Sequence, residues 1–142
     1  MPTKLRVLVV GLGHMGVTHA KAYDRIDGYE LAGLCCRSIA RRDDIVKTWP
    51  HVARFADYGE ALAKLKPDVV SINTWPDTHA GFAVRAFQAG AHVFLEKPIA
   101  ETVADAERVV AAAKANNRKL LVGDARCVSE FDQPGIEPRA SR

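Results

Sequence analysis

The feature that most constrains this chain is a buried-strand pattern followed at once by three spaced glycines. Residues 5–10 are Leu-Arg-Val-Leu-Val-Val, an almost unbroken run of Val and Leu that predicts a strand buried on both faces. Gly11, Gly13 and Gly16 come next, and the pattern of residues 16–25 predicts a helix. A Gly-x-Gly-x-x-Gly turn between a buried strand and a helix is typical of a dinucleotide-binding site.

Each glycine has its own role in this interpretation. Gly11 permits the tight turn, Gly13 lets the backbone approach a pyrophosphate, and Gly16 lets the helix pack closely on the strand. The unpaired amides at the helix start, including those of His14 and Met15, supply the anion site together with the positive end of the helix dipole. The alternative is a glycine-rich turn that binds no ligand.

Strand and helix patterns alternate along residues 5–122. This alternation predicts an α/β fold, a doubly wound and mostly parallel sheet of the Rossmann type with helices on both faces. The dinucleotide-binding domain is assigned to residues 1–123. Beyond the first pair, strands are predicted at residues 30–35, 53–55, 68–72, 92–95 and 119–122, and helices at residues 39–49, 58–65, 78–89 and 102–116.

Local signals define the start of two of these helices. Ser38 is a favourable N-cap for the helix at 39–49. Thr102 with Asp105 resembles a capping box in which Asp replaces Glu. The helix that follows Thr102 carries an apolar stripe predicted to face the core. The stripe consists of Val103, Ala106, Val109, Val110 and Ala113.

Composition excludes several other classes of protein. The 142 residues carry a net charge of +3, and basic residues are scattered among acidic ones rather than clustered as on a nucleic-acid-binding surface. No apolar run approaches the ~20 residues of a membrane span, and no apolar leader precedes the first strand, so we expect a cytoplasmic location. Cys35, Cys36 and Cys127 have neither zinc-site nor disulfide spacing, which predicts reduced thiols and no metal site.

The end of the second predicted strand bears on which dinucleotide binds. An NAD-specific domain usually places Asp or Glu there to hold the ribose 2′-hydroxyl, whereas this chain has Cys36-Arg37-Ser38. Arg37 can pair with a 2′-phosphate, and Ser38 can donate a hydrogen bond to it. Arg41 and Arg42 can add positive charge nearby. The sequence therefore favours NADP, with NAD as the alternative cofactor and a solvated helix start as the interpretation without a nucleotide.

Three motifs point to a particular family. They are Gly11-x-Gly13-x-x-Gly16-x-x-His19, the segment Trp75-Pro76-Asp77-Thr78-His79, and Glu96-Lys97-Pro98 at the end of Ala-Gly-Ala-His-Val-Phe-Leu-Glu-Lys-Pro. Over about residues 4–123 the chain resembles the N-terminal domain of the Gfo/Idh/MocA oxidoreductases, whose signature is Glu-Lys-Pro. Members of this family bind NAD or NADP and move a hydride between the nicotinamide and a sugar, cyclitol or related alcohol carbon. The resemblance thus implies a dinucleotide cofactor and a polyol or sugar substrate.

The resemblance also implies residue roles. Lys97 lies beside the nicotinamide and substrate, where its ammonium polarises the reacting oxygen or assists proton transfer, and Glu96 fixes the loop. Trp75 stands where many members have proline, and it either contacts the nicotinamide ring or packs. The alternatives without a ligand are that Lys97 is a solvated surface lysine, that His79 caps or packs its own helix, and that His19 packs in the core. The implied cofactor contacts on this side are Thr74, Trp75, Pro76, His79, Glu96, Lys97 and Pro98.

The segment after Gly123 differs from the rest of the chain. Residues 124–142 lack apolar periodicity and contain two prolines, which predicts an irregular or disordered tail. We expect the family's C-terminal α+β domain, which covers the nicotinamide and binds substrate, to be missing from this sequence. The resulting hypothesis is a truncated or frame-shifted member that binds nucleotide weakly at most and has negligible turnover. The alternatives are a non-catalytic NAD(P)-binding or sensor module and a pseudogene product without a role.

Overall fold

The computed structural model describes residues 3–123, so the predicted tail at 124–142, with Cys127, lies outside the described residues. Strands and helices alternate along the chain, as the sequence predicts. Within the described part of the chain, no helix has the length and apolar character needed to cross a bilayer. The elements are β1 (Leu5–Val10), α1 (His14–Arg25), β2 (Tyr29–Cys35), a 3-10 turn (Ile39–Arg41), α2 (Asp43–Thr48), β3 (Ala53–Phe55), α3 (Tyr58–Leu65), β4 (Val69–Ile72), α4 (Pro76–Gln88), β5 (His92–Glu96), α5 (Val103–Ala115) and β6 (Leu120–Gly123).

The strands form one parallel sheet in the order β3-β2-β1-β4-β5-β6. β1 and β4 are neighbours at its centre, and the strand order runs outward from them in both directions. The carboxyl ends of two such strands form the switch point at which open α/β sheets bind ligands. This topology confirms the predicted doubly wound Rossmann fold.

Alternate residues of β1 supply a core on each face of the sheet. Val7 and Val9 lie in the cluster that includes residues of α1 and α2, whereas Leu8 and Val10 lie in the cluster formed with α3, α4 and α5. All four side chains are almost completely buried. A strand covered on both faces needs apolar residues at successive positions, which explains the nearly continuous run that opens the chain.

The predicted helix over residues 39–49 is wrong in its continuity and in its cap. A 3-10 turn ends at Arg41, and α2 begins at Asp43 after a non-helical residue, Arg42, with φ −106° and ψ 69°. Ser38 makes no side-chain capping hydrogen bond. The Arg42 side chain instead binds the carbonyl oxygen of Leu12, which is 30 residues away in sequence. A prediction from local helix propensity cannot include a contact with a residue so distant in the sequence.

The predicted stripe on α5 is also too wide. The Thr102 cap is confirmed, because its Oγ accepts a hydrogen bond from the Asp105 amide at 3.1 Å. Val109 and Ala113 are buried, but Val103 is 76% exposed and Val110 is 38% exposed. α5 packs mainly against α4, so only a narrow face of the helix is covered. The outer valines are left on the surface.

Candidate dinucleotide-binding site

The turn after β1 has a different steric requirement at each glycine. Gly11 has a φ of 81°, and a Cβ atom there would lie 2.5 Å from the carbonyl oxygen of Asn73. A Cβ atom at Gly16 would overlap the carbonyl oxygen of Gly11, because α1 starts directly against the turn. At Gly13 nothing lies within 4 Å of the Cβ position. The fold itself therefore requires Gly11 and Gly16, whereas open space remains beside the backbone of Gly13.

The start of α1 has the properties of an anion site. Gly13 is its N-cap, and no side chain caps the helix. The first amides of a helix have no partner within the helix, so those of His14 and Met15 are available as donors to a ligand. The first turn of α1 contains no acidic residue that would oppose an anion. The residues present thus fit the pyrophosphate of a dinucleotide.

The segment after β2 carries the residues predicted to select the cofactor. Arg37 and Arg41 are exposed, and Ser38 is half-buried. The Ser38 hydroxyl lies 3.7 Å from the Cys36 thiol. Burial raises the pKa of the neighbouring Cys35 thiol to about 12, so this cysteine stays protonated and serves as a small apolar core residue.

Arg42 differs from the other two arginines because it is paired. Its Nε and Nη2 donate to the two carboxylate oxygens of Asp44, each at 2.8 Å. These hydrogen bonds lower the pKa of Asp44 to about 2, so the carboxylate remains charged at neutral pH. Arg42 is thus paired with a carboxylate, whereas Arg37 and Arg41 are exposed.

His79 joins the loops that follow β4 and β5. Its ring is buried, with Nδ1 2.7 Å from the carbonyl oxygen of Pro98 and Nε2 3.0 Å from that of Thr74. The side chain therefore bridges two loops rather than capping its own helix. A histidine near the start of α4 gives no sign in the sequence that it reaches a loop beyond the next strand.

Each loop that His79 contacts also carries an exposed side chain. Trp75, next to Thr74, is 77% exposed, so its indole does not pack in the core. Lys97, next to Pro98, is exposed as well. An aromatic ring and an ammonium group thus stand on adjacent loops at the carboxyl edge of the sheet, where both are available to a ligand.

Buried polar side chains connect α1 with β4 and β5. His19 lies with Nδ1 3.1 Å from Ser71 Oγ and Nε2 2.9 Å from Glu96 Oε1. The side-chain amide of Asn73 donates to Ser71 Oγ at 3.1 Å. Each donor in this chain of hydrogen bonds has an acceptor when the Ser71 hydroxyl donates to His19 Nδ1 and a neutral His19 donates from Nε2 to the Glu96 carboxylate. His19 is therefore buried, as a packing residue would be, but it also holds Glu96.

Ser71 and Asn73 are site residues that the sequence interpretation missed. Ser71 lies in the fully buried strand Val-Val-Ser-Ile, and a hydroxyl in that position needs a partner inside the protein. Within residues 3–123, Asn73 Oδ1 is buried without a hydrogen-bond partner. Asn73 directly follows β4 at the switch point, so this oxygen is an acceptor available beside the glycine turn.

Comparison with known proteins decides the family. Residues 5–124 match the Gfo/Idh/MocA model, described as an oxidoreductase family with an NAD-binding Rossmann fold. The chain belongs to the Gfo/Idh/MocA family. Residues 5–124 correspond to the NAD-binding Rossmann domain of that family, and the resemblance predicted from the three motifs is confirmed.

Several known dehydrogenases are similar to this chain over most of its length. The 4-carboxy-2-hydroxymuconate-6-semialdehyde dehydrogenase of Sphingobium sp. is 30% identical over 122 residues, which cover 86% of this chain and 39% of that protein. The apo scyllo-inositol dehydrogenase of Lactobacillus casei has a TM-score of 0.79 and 26% identity, covering 87% of this chain and 37% of its own. The WlbA dehydrogenase of Bordetella pertussis, in complex with NADH and UDP-GlcNAcA, has a TM-score of 0.78 and 27% identity, and the match covers 84% of this chain and 37% of the WlbA chain. The chain thus spans less than two fifths of the length of these relatives.

Alanine substitutions should separate the roles of two glycines in the turn. Gly13→Ala should cost about 1 kcal/mol of folding stability, because alanine is a poorer N-cap than glycine. It should also weaken dinucleotide binding, because the methyl group fills the open space beside the backbone. Gly16→Ala should cost about 3 kcal/mol or more, because its methyl group overlaps the Gly11 carbonyl oxygen. Thermal unfolding and calorimetric titration measure the two effects, and equal destabilisation by both substitutions would contradict this division.

His19 should make the domain less stable in mild acid. Burial lowers the pKa of His19, and the Glu96 carboxylate opposes this only in part. The unfolded chain, with an ordinary histidine pKa of about 6.5, then binds a proton that the folded domain does not. The stability that the neutral His19 contributes is fully present above that pH. As the pH falls below it, the free energy of unfolding decreases by at most about 1.4 kcal/mol per pH unit.

Unfolding free energies at pH 7.5 and 5.5 test this dependence. His92 has a lowered pKa too, because of burial, so the relevant comparison is between variants. His19→Gln should flatten the dependence, whereas His51→Gln, at an exposed position, should leave it unchanged. A His19 ring resonance that titrates above the ordinary value would show that the imidazole is protonated in the fold instead.

Proposed function

We propose that residues 3–123 are the NADP-binding domain of an oxidoreductase that transfers a hydride to or from a CH–OH carbon of a sugar, cyclitol or related alcohol. The observation that carries this proposal is the position of Lys97. This exposed lysine follows β5 at the same edge of the sheet as the glycine turn after β1. Cofactor-binding and reacting groups are thus available on the two sides of the switch point.

The cofactor phosphates are assigned to the turn formed by Gly11, Gly13 and Gly16. The open space at Gly13 and the uncapped start of α1 support this assignment. Backbone amides, including those of His14 and Met15, then bind the pyrophosphate oxygens. The partnerless Asn73 Oδ1 provides an acceptor beside them for a cofactor hydroxyl.

NADP is proposed because the end of β2 carries a cation and no carboxylate. Cys36 occupies the position after the strand at which an acidic residue would bind a ribose 2′-hydroxyl. Arg37 and Ser38 follow it, one with an exposed guanidinium and the other with a hydroxyl. A 2′-phosphate can pair with the guanidinium and accept a hydrogen bond from the hydroxyl.

Lys97 is proposed as the catalytic residue because its backbone is held on both sides while its side chain stays exposed. The preceding residue, Glu96, accepts a hydrogen bond from His19 at 2.9 Å. The carbonyl of the following residue, Pro98, is contacted by His79 at 2.7 Å. A bound nicotinamide supplies the hydride acceptor or donor. In reduction, the Lys97 ammonium then polarises the carbonyl oxygen of the substrate and donates a proton to it; in oxidation, the neutral Lys97 amine accepts the proton of the alcohol.

The substrate class is proposed from the relatives, and the remaining substrate contacts are assigned to parts of a protein beyond residues 3–123. Among the relatives are a scyllo-inositol dehydrogenase and a dehydrogenase bound to a nucleotide sugar. Hydride transfer requires a substrate held close to the nicotinamide with water excluded. Lys97 and Trp75 are both exposed, so residues 3–123 supply one side of such a site.

Binding measurements with both dinucleotides test the proposed cofactor. The 142-residue chain should bind NADP more tightly than NAD. Arg37→Gln should weaken NADP binding about tenfold, because it removes one charge-assisted hydrogen bond, and should leave NAD binding unchanged. Arg25→Gln is the matched control, since this exposed arginine lies at the far end of α1. Equal or tighter binding of NAD by the wild-type chain would contradict the proposal.

Chemical protection tests whether Lys97 lies beside the cofactor. Saturating NADP should slow acylation of Lys97 by an amine-specific reagent, because the bound cofactor covers the ammonium. Lys114, exposed near the end of α5, should react at the same rate with and without NADP. Peptide mass spectrometry measures both rates in one sample.

One result would contradict the position proposed for Lys97, and another would contradict the assignment of substrate contacts to parts of a protein beyond residues 3–123. If Lys97 reacts at the same rate with and without bound NADP, its ammonium does not lie beside the cofactor. Rapid reduction of NADP by the 142-residue chain with an inositol or a sugar, followed by absorbance at 340 nm, would show that the chain contains a complete substrate site.

A further inference from the structure

One guanidinium connects the glycine turn to the start of α2. Arg42 Nη1 donates to the carbonyl oxygen of Leu12 at 2.5 Å. The same group is held from the other side, because Asp44 accepts from Nε and Nη2 at 2.8 Å. The Arg42 side chain is three-quarters buried. The guanidinium therefore has a defined position and a defined partner in the turn.

The Leu12 carbonyl belongs to the same peptide unit as the Gly13 amide. In a planar trans peptide, the C=O and N–H bonds point in opposite directions. A donor that holds the Leu12 oxygen on the α2 side therefore directs the Gly13 N–H away from α2. Gly13 is exposed, and nothing lies within 4 Å of its Cβ position. The amide thus faces away from Arg42 beside the open space in the turn.

Within residues 3–123, the Arg42 guanidinium is the hydrogen-bond partner found for this peptide unit. Gly11 and Gly13 flank Leu12, and glycine adopts many backbone conformations at low cost. The Leu12 side chain is buried, which fixes the residue but not the rotation of the peptide plane that follows it. An external hydrogen bond to the carbonyl oxygen supplies that constraint.

We propose that Arg42, held by Asp44, is a positioning residue that orients the Leu12–Gly13 peptide so that the Gly13 amide binds the cofactor pyrophosphate. The inference rests on the proposed function and deepens it. It assigns Arg42 a role different from that of Arg37, since the pyrophosphate is common to NAD and NADP. Loss of a positioning residue for the pyrophosphate must weaken both cofactors equally.

Calorimetric titration of NAD and NADP distinguishes positioning from direct charge recognition. Arg42→Gln should weaken both dinucleotides by the same factor, about tenfold or more, the loss expected for one hydrogen bond to a charged group. Arg42→Lys should behave in the same way, because lysine keeps the charge but cannot bind Leu12 and both Asp44 oxygens together. Asp44→Asn should show a smaller equal loss. Asp43→Asn, at the exposed neighbouring position, is the control and should change neither affinity.

Amide NMR spectra of the ligand-free variants provide a second measurement that does not depend on binding. Arg42→Gln, Arg42→Lys and Asp44→Asn should shift the Gly13 amide resonance, and Asp43→Asn should not. If the wild-type chain binds neither dinucleotide, the proposed function fails, while the shift still shows whether Arg42 orients the peptide. Selective loss of NADP affinity in Arg42→Lys or Arg42→Gln, or an unshifted Gly13 resonance in folded Arg42 variants, would overturn the inference.

Discussion

The contact between the backbones of Gly11 and Gly16 determines where α1 starts, and most of the candidate site depends on that position. Any side chain at Gly16 would overlap the Gly11 carbonyl oxygen, so the helix lies as close to the turn as two backbones can. This closeness leaves the first amides of α1 at the switch point between β1 and β4. It also brings His19, one turn further along the helix, within hydrogen-bond distance of Ser71 and Glu96.

The buried hydrogen bond between His19 and Glu96 joins two motifs that are 77 residues apart. The carboxylate of a glutamate that is only 7% exposed needs a donor, because an unpaired buried charge is costly. His19 meets that need as a neutral donor, and Ser71 occupies its other ring nitrogen. The residue before Lys97 is thus tied to α1, and His79 ties the residue after it to the loop that follows β4. This double attachment explains how an exposed lysine can have a defined backbone position.

Another long-range hydrogen bond lies close to the end of β2, where the 2′-phosphate of the cofactor is proposed to bind. The non-helical backbone of Arg42 interrupts the helix predicted after β2. The Arg42 guanidinium binds both the glycine turn and Asp44. The interruption shortens α2 but connects it with the turn. Arg37 and Arg41 remain exposed next to this connection, so neighbouring arginines have separate roles, one structural and the others available to a ligand.

The sequence by itself determined the order of strands and helices, the glycine turn and the family, because these depend on local periodicity and on short motifs. It also predicted the Thr102 cap, whose partner is three residues away. Only the tertiary structure decided the partners of His19, His79 and Arg42, and the exposure of Trp75, Val103 and Val110. Each of these depends on which elements become neighbours in the folded sheet. A polar side chain finds its partner, and an apolar one its cover, by spatial distance, and no local pattern records a neighbour that lies tens of residues away.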